Sequence, residues 1–168
     1  AGFAATLHTE HGSEELWPQL YSGGFRTGTE AREFRREPWP AFRFETRLGV
    51  GIEIELFVPR GRPLVAIGFR LHRALPGGRL ELRPLLSGRD FHVLHHENSA
   101  FESAAEARGS SLVFSPYPGV PRIESCASAE YRSAPTWYRR VFYPEEAARG
   151  FDAEEDLASP GVYVFDLA

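Results

Sequence analysis

From Ala41 onward, apolar and polar residues alternate with a period of two. Phe42, Phe44 and Thr46 fall on one side, and Arg43, Glu45 and Arg47 on the other. That period is the side-chain repeat of an extended chain, and one apolar face is what a half-buried antiparallel strand presents. Gly49-Val-Gly51 predicts a hairpin turn. Ile52-Glu-Ile-Glu-Leu-Phe-Val58 then alternates again until Pro59-Arg-Gly-Arg-Pro63 closes it. Val65, Ile67, Phe69 and Leu71 share the next face, opposite Gly68, Arg70 and His72, and Leu75-Pro-Gly-Gly78 turns the chain into a fourth alternating run, Arg79-Leu-Glu-Leu-Arg83. Four runs at short spacing, joined by Gly/Pro turns, predict an antiparallel meander.

The remainder is less regular. Residues 1–7 are small and apolar and predict a short strand, with His8-Thr-Glu-His-Gly-Ser13 as a turn; Trp17 to Gly24 has loop chemistry. Ala31 to Arg36 reads as one helical turn, broken by Glu37-Pro-Trp-Pro40. Phe101 to Ala107 and Ser111-Leu-Val-Phe114 read as short strands, and Ile123 to Tyr131 alternates weakly. Between Trp137 and Leu157 only Trp137–Tyr143 resembles a strand, and Glu145 to Arg149 predicts a helical turn. Gly161 to Leu167 closes the chain as a strand with Val162 and Val164 opposed to Tyr163 and Phe165. The sum is an all-β fold, an antiparallel β-sandwich with almost no helix.

The stretch from Arg83 to Asn98 departs from this pattern. Pro84 has no N–H to give a ladder and is expected to end regular pairing. Beyond it, Ser87-Gly-Arg-Asp90 reads as a turn, followed by a run that holds three of the six histidines. If that run were extended, His92 and His96 would share a face and His95 would take the other, so that His92, His96 and Asp90 could approach a zinc ion. The plainer reading has these histidines bonded to backbone carbonyls and to Asn98, and no metal is expected because the spacing matches no established ligand pattern.

Composition narrows the function classes. With 168 residues the chain is long enough to bury one core, and all 19 of its basic side chains are arginine, interleaved with 23 acids for a net charge of −4. No basic footprint for nucleic acid exists, and no apolar run suggests a membrane span. Cys126 stands alone, so no internal disulfide can form, which fits a cytoplasmic protein. There is no methionine; we expect an excised or processed piece of something longer. Neither a nucleophile elbow nor a phosphate loop is present, and no cofactor is expected. The acids at Glu145, Glu146, Asp152, Glu154, Glu155 and Asp156 read as a solvated loop. Trp39, Trp137, Tyr138, Tyr143 and Phe91, near Arg89, Asp90, Asn98 and Arg139, have the chemistry of a sugar site. The plainer reading, favoured here, has Trp39 and Trp137 plug the sandwich ends while arginine ion pairs pin the loops.

Three stretches carry a resemblance in the same order: Phe34-Arg-Arg-Glu-Pro-Trp-Pro-Ala-Phe-Arg-Phe44, the run 83–98 itself, and Trp137-Tyr-Arg-Arg-Val-Phe-Tyr-Pro144 with Arg149-Gly-Phe-Asp152, Glu155-Asp-Leu157 and Ser159-Pro-Gly161. Together they resemble the N-terminal domain of bacterial and archaeal glycogen debranching enzymes of the amylo-α-1,6-glucosidase type. The resemblance implies a supersandwich-like β-sandwich, residues 1–168 as one domain, placed ahead of an (α/α)6-barrel. It implies that the barrel carries both catalytic acids, so no residue here is assigned to catalysis. The partners implied are that barrel, in the same polypeptide, and glycogen or a related α-glucan. The residues expected to meet one or the other are Arg89, Asp90, His92, His96, Glu97, Asn98, Trp137, Tyr138 and Arg139, because Arg and aromatics suit a domain interface. A self-sufficient glycan-binding module is the alternative.

Overall fold

The computed structural model describes residues 2–90 and 93–167. The described chain opens on a hairpin of β1 (Gly2–Thr9) and β2 (Gly12–Leu16), followed by a two-strand pairing of β3 (Gln19–Leu20) with β4 (Arg26–Thr27). Next come β5 (Glu33–Arg35), β6 (Ala41–Glu45), β7 (Gly51–Phe57) and β8 (Ala66–Leu71), hydrogen-bonded in that order as one sheet. β9 (Arg79–Leu85) is followed by a small sheet of β10 (Ala105–Arg108), β11 (Ser111–Phe114) and β12 (Ile123–Ser125). Two long strands, β13 (Glu130–Phe142) and β14 (Glu154–Asp166), flank α1 (Pro144–Ala148). The second large sheet runs β13-β14-β9-β1-β2.

The two large sheets share one core. Ala5, Leu7, Leu16 and Leu80 from the five-stranded sheet meet Phe44, Ile52 and Ile54 from the four-stranded one, all essentially excluded from solvent. Each strand contributes alternate residues to that layer, as face-to-face sheets require. Trp17 fills one side of it, with its ring 4.6 Å from Phe42 and 5.6 Å from Phe3. Gly28 makes room for this corner, because a Cβ there would lie 2.3 Å from the Trp17 carbonyl oxygen. On the outer face of the four-stranded sheet, Glu53 stands across from Arg43 and Arg70, opposite charges where side chains are nearest. The fold is all-β, antiparallel and sandwich-like.

Several local expectations change. Ala31 to Arg36 holds a strand in place of a helical turn, because Phe34 pairs across from Phe42 with ring centroids 4.9 Å apart. The meander stops at three of its four strands. After Leu75-Pro-Gly-Gly78 the chain crosses to the facing sheet, where β9 lies between β1 and β14 and brings Leu80 to the core from the other side. Pro84 does not end pairing, since β9 continues opposite Phe3. Leu86 exchanges hydrogen bonds with Ala158 at 2.7 and 3.0 Å, so by the strand period Pro84 faces β14 too, within the gap between the Leu82–Tyr163 pair and that bridge. A residue without an N–H costs little there.

The fourth change is the largest. β13 and β14 are thirteen residues each, and β14 begins inside the acid-rich segment. Register shifts between Ser133 and Thr136 and between Tyr138 and Val141 break the alternation of β13, and Arg140 takes φ 60° at the second. A bulge inserts a residue out of phase, so the two-residue period fails as a signal even where the strand persists. Trp39 also departs from expectation. It packs 5.6 Å from Phe57 at the end of the four-stranded sheet and remains 37% exposed, outside the core that Trp17 fills.

Phe44→Ala is expected to lower unfolding free energy by about 3–5 kcal/mol in urea denaturation, through lost burial and the cavity left behind. Val65→Ala, at a residue 60% exposed, should change it by no more than about 0.5 kcal/mol.

Candidate functional site

The loop after β9 lies along β14 and is fastened to it at several points. Leu86 bridges Ala158; the Asp156 N–H donates to the His95 carbonyl at 2.7 Å; the Glu97 N–H donates to Asp156 Oδ2 at 2.9 Å. Gly88 is required where it stands, because a Cβ there would lie 2.4 Å from the Tyr117 ring.

Glu155 is the centre of this arrangement. The residue is 1% exposed, and its carboxylate accepts hydrogen bonds from the Arg89 guanidinium, from Tyr143 Oη at 2.7 Å and from the His95 N–H at 3.2 Å. Burial alone would push its carboxyl up, but the bonds from Arg89 and Tyr143 and the arginine's charge outweigh that and hold it below the usual carboxylate range. Burial, with the bond to Glu155 second, drives the Tyr143 phenol up, and the bond to Glu155 raises Arg89. The three groups are one charged, satisfied unit.

Beside it is a chain of hydrogen bonds that runs through His95. His95 Nδ1 is 3.0 Å from the Asp156 carbonyl oxygen, which can only accept, so Nδ1 carries the proton. Nε2, 2.6 Å from Tyr117 Oη, then accepts from that hydroxyl, and Tyr117 in turn accepts from Asn98 Nδ2 at 2.8 Å. The His95 ring is wrapped by Trp137 at 5.3 Å and Tyr117 at 5.8 Å, and Phe101 closes against Trp137 at 5.3 Å. Asp156 accepts N–H groups from Glu97 and from Arg140, and these, with the His96 and Arg139 charges, overcome its own desolvation and lower its carboxyl.

Most of the residues singled out from the sequence fall here. Arg89 is committed to Glu155. The carbonyl of Asp90 accepts from the Val93 N–H at 3.1 Å and from Arg89 at 3.2 Å. Exposed His96 lies 3.9 Å from Asp156, and Glu97 forms an ion pair with Arg139. Asn98 ties Tyr117 to the His96 carbonyl, and Trp137 backs His95. Tyr138 is separated from them by strand alternation and packs with Leu85, Val141 and Leu157. His92 and Phe91 lie outside the described residues. Among the described residues, no group of three His, Cys, Asp or Glu side chains is placed to hold a metal.

Sequence reasoning undervalued His95 and misplaced Glu155, which is a buried strand residue where a solvated loop was expected. A signal existed: Ala153, Glu155 and Leu157 recur at the two-residue period, and all three are buried. Among carboxyl groups with a resolved shift, Glu130, Glu154, Glu155 and Asp156 all move down, whereas a general acid needs one raised. The arrangement also shapes a groove of about 1000 Å³ between Arg89, Val93, Leu94 and His96 on one side and the turn after β13 on the other, with Tyr143 in its lining.

Glu155→Gln should cost about 3 kcal/mol in chemical denaturation, since Arg89 loses its counter-charge in a largely buried setting. Because the folded Glu155 carboxyl lies below its unfolded value, its contribution is complete above that value and is lost as pH falls through the folded one. The thermal midpoint of the native chain should therefore drop as the pH falls below the ordinary glutamate range, and less steeply in Glu155→Gln.

Comparison with known proteins gives one match. The family model described as glycogen debranching enzyme N terminal covers residues 2–168. No curated protein and no solved structure matches the chain significantly. A model that spans the described sandwich together with the loop welded to β14 settles the family: the chain belongs to the glycogen debranching enzyme N-terminal domain family.

Proposed function

We propose that this chain is a non-catalytic domain of a longer glycogen-debranching α-1,6-glucosidase, that it supports a helical catalytic domain in the same polypeptide, and that it helps position branched α-glucan there. In this reading the 168 residues act as one domain, the parent is a glycoside hydrolase of glycogen breakdown, and its setting is the cytoplasm. Membership of the family implies a catalytic domain in the same chain. No helix among the described residues is long and apolar enough to cross a membrane.

The observation that carries the non-catalytic reading is the use made of the acids on the loop and at the start of β14. Glycoside hydrolysis needs two carboxyl groups about 5 to 10 Å apart on either side of the scissile bond, one of them protonated. Here Glu155 is enclosed by three donor groups, Asp156 is held by two backbone N–H groups, and Glu97 is paired with Arg139. These carboxylates stiffen a loop and a strand end. A rim of that rigidity, with exposed Arg, His and Glu side chains, suits a surface against which another domain rests.

Incubated with a branched dextrin, the isolated chain should release no glucose, and the Glu97→Gln variant should be equally inert; turnover by the native chain that the variant loses would overturn the reading. In the parent enzyme, Arg139→Ala should change KM for a branched substrate more than kcat if the rim positions glucan. An equal fall in kcat with KM unchanged would place Arg139 in the chemistry.

A further inference from the structure

We propose that the groove lined by Arg89, Val93, Leu94 and His96 and by the turn after β13 is a binding site for a short segment of neutral α-glucan, gripped by residues the sequence did not single out for this, chiefly Phe151, Asp152, Glu145 and Val93. The inference rests on the function proposed above and deepens it by assigning the glucan a place.

The groove is fixed in width before any ligand arrives. Arg89 belongs to one wall and Tyr143 to the other, and both donate to the same buried carboxylate, Glu155. The second wall is closed on itself as well: the Tyr143 N–H donates to Ala153 O at 2.9 Å and the Phe151 N–H to Glu146 O at 3.1 Å, which folds the turn back onto the start of β14. A pre-formed site loses little ordering entropy on binding.

Its lining is apolar on both sides with unengaged acceptors at the edge. Phe151 is 62% exposed and Val93 59% exposed, and both line the groove. Two exposed apolar side chains lining one concavity offer a contact surface. The carboxylates of Glu145 and Asp152 have no hydrogen-bond or ion-pair partner among the described residues, and the His96 side chain is 66% exposed.

Charge chemistry selects the ligand. Of the charged residues in the lining, Arg89 is paired with Glu155 and Glu146 with Arg149, which leaves the Glu145 and Asp152 carboxylates with His96 alone, so a phosphate or other anion is disfavoured. No described trio of ligating side chains could hold a cation. A sugar satisfies the remainder: its hydroxyls donate to free carboxylates while its C–H face rests on Phe151 and Val93. A volume of about 1000 Å³ accepts an oligosaccharide more readily than a single glucose.

The test is an amide-resolved NMR titration of this chain with maltoheptaose, with the β-linked cellohexaose in parallel. Saturable shifts confined to the loop around Val93 and the turn around Phe151, from the α-linked sugar alone, are expected. Phe151→Ala should weaken binding roughly tenfold and Asp152→Asn several-fold, with thermal midpoints unchanged because both side chains are exposed. Absence of any shift up to the solubility limit would overturn the site and leave the groove to a protein surface such as the catalytic domain. Saturable shifts elsewhere would also overturn it, while the positioning role survived; turnover of a branched dextrin would instead defeat the function proposed above.

Discussion

One buried carboxylate determines how the functional face of this domain is built. Glu155 sits at the start of β14 with the sheet on one side and two irregular segments on the other, and it accepts from Arg89, Tyr143 and His95. A lone charge in that position would be costly, by several kcal/mol, unless its oxygens were paired. The pairing therefore obliges the loop after β9 and the turn after β13 to approach the same point. Local shape follows from that requirement more than from the preferences of either segment.

The sandwich supplies the rigid base that this requirement needs. β14 is the second strand of the five-stranded sheet; β13 pairs along nearly all of one edge, and on the other edge its C-terminal half meets β9 and its N-terminal half the loop. The loop is thereby fastened to Glu155, Asp156 and Ala158 of a paired strand. Polar satisfaction then continues outward through Asn98, Tyr117, His95 and the Asp156 carbonyl, where each group has a donor or acceptor assigned. Such connected chains hold a loop in one conformation, and the function proposed here depends on a rim that does not have to be rebuilt when a partner or a glucan arrives.

Legibility in the sequence followed the physics of each part. Strands β6, β7 and β8 were readable because only one of their faces is buried, which prints Phe42/Phe44, Ile52/Ile54 and Ile67/Phe69 as clean alternation. β13 was obscure because two register shifts and the φ of Arg140 move its phase, and β5 because three residues carry too little pattern to outweigh helical propensity. The destination of β9 could not be read at all, since alternation says which residues are buried and not which sheet they belong to. At the site, Arg89, Glu97, Asn98 and Trp137 were recognisable by residue type. Glu155 was hidden by its neighbours Glu154 and Asp156: a run of acids looks solvated, and only the burial of Ala153 and Leu157 on either side reveals the middle one as inward-facing.

Hydrogen exchange on the native chain and on Glu155→Gln tests most directly whether that carboxylate organises the rim. If it does, the variant loses protection at the amides of His95, Glu97 and Asp156 and at Tyr143 and Phe151 on the opposite wall, while amides of β6 and β7 exchange as before. Unchanged protection along the loop and the turn, or a loss spread evenly over both sheets, would contradict it.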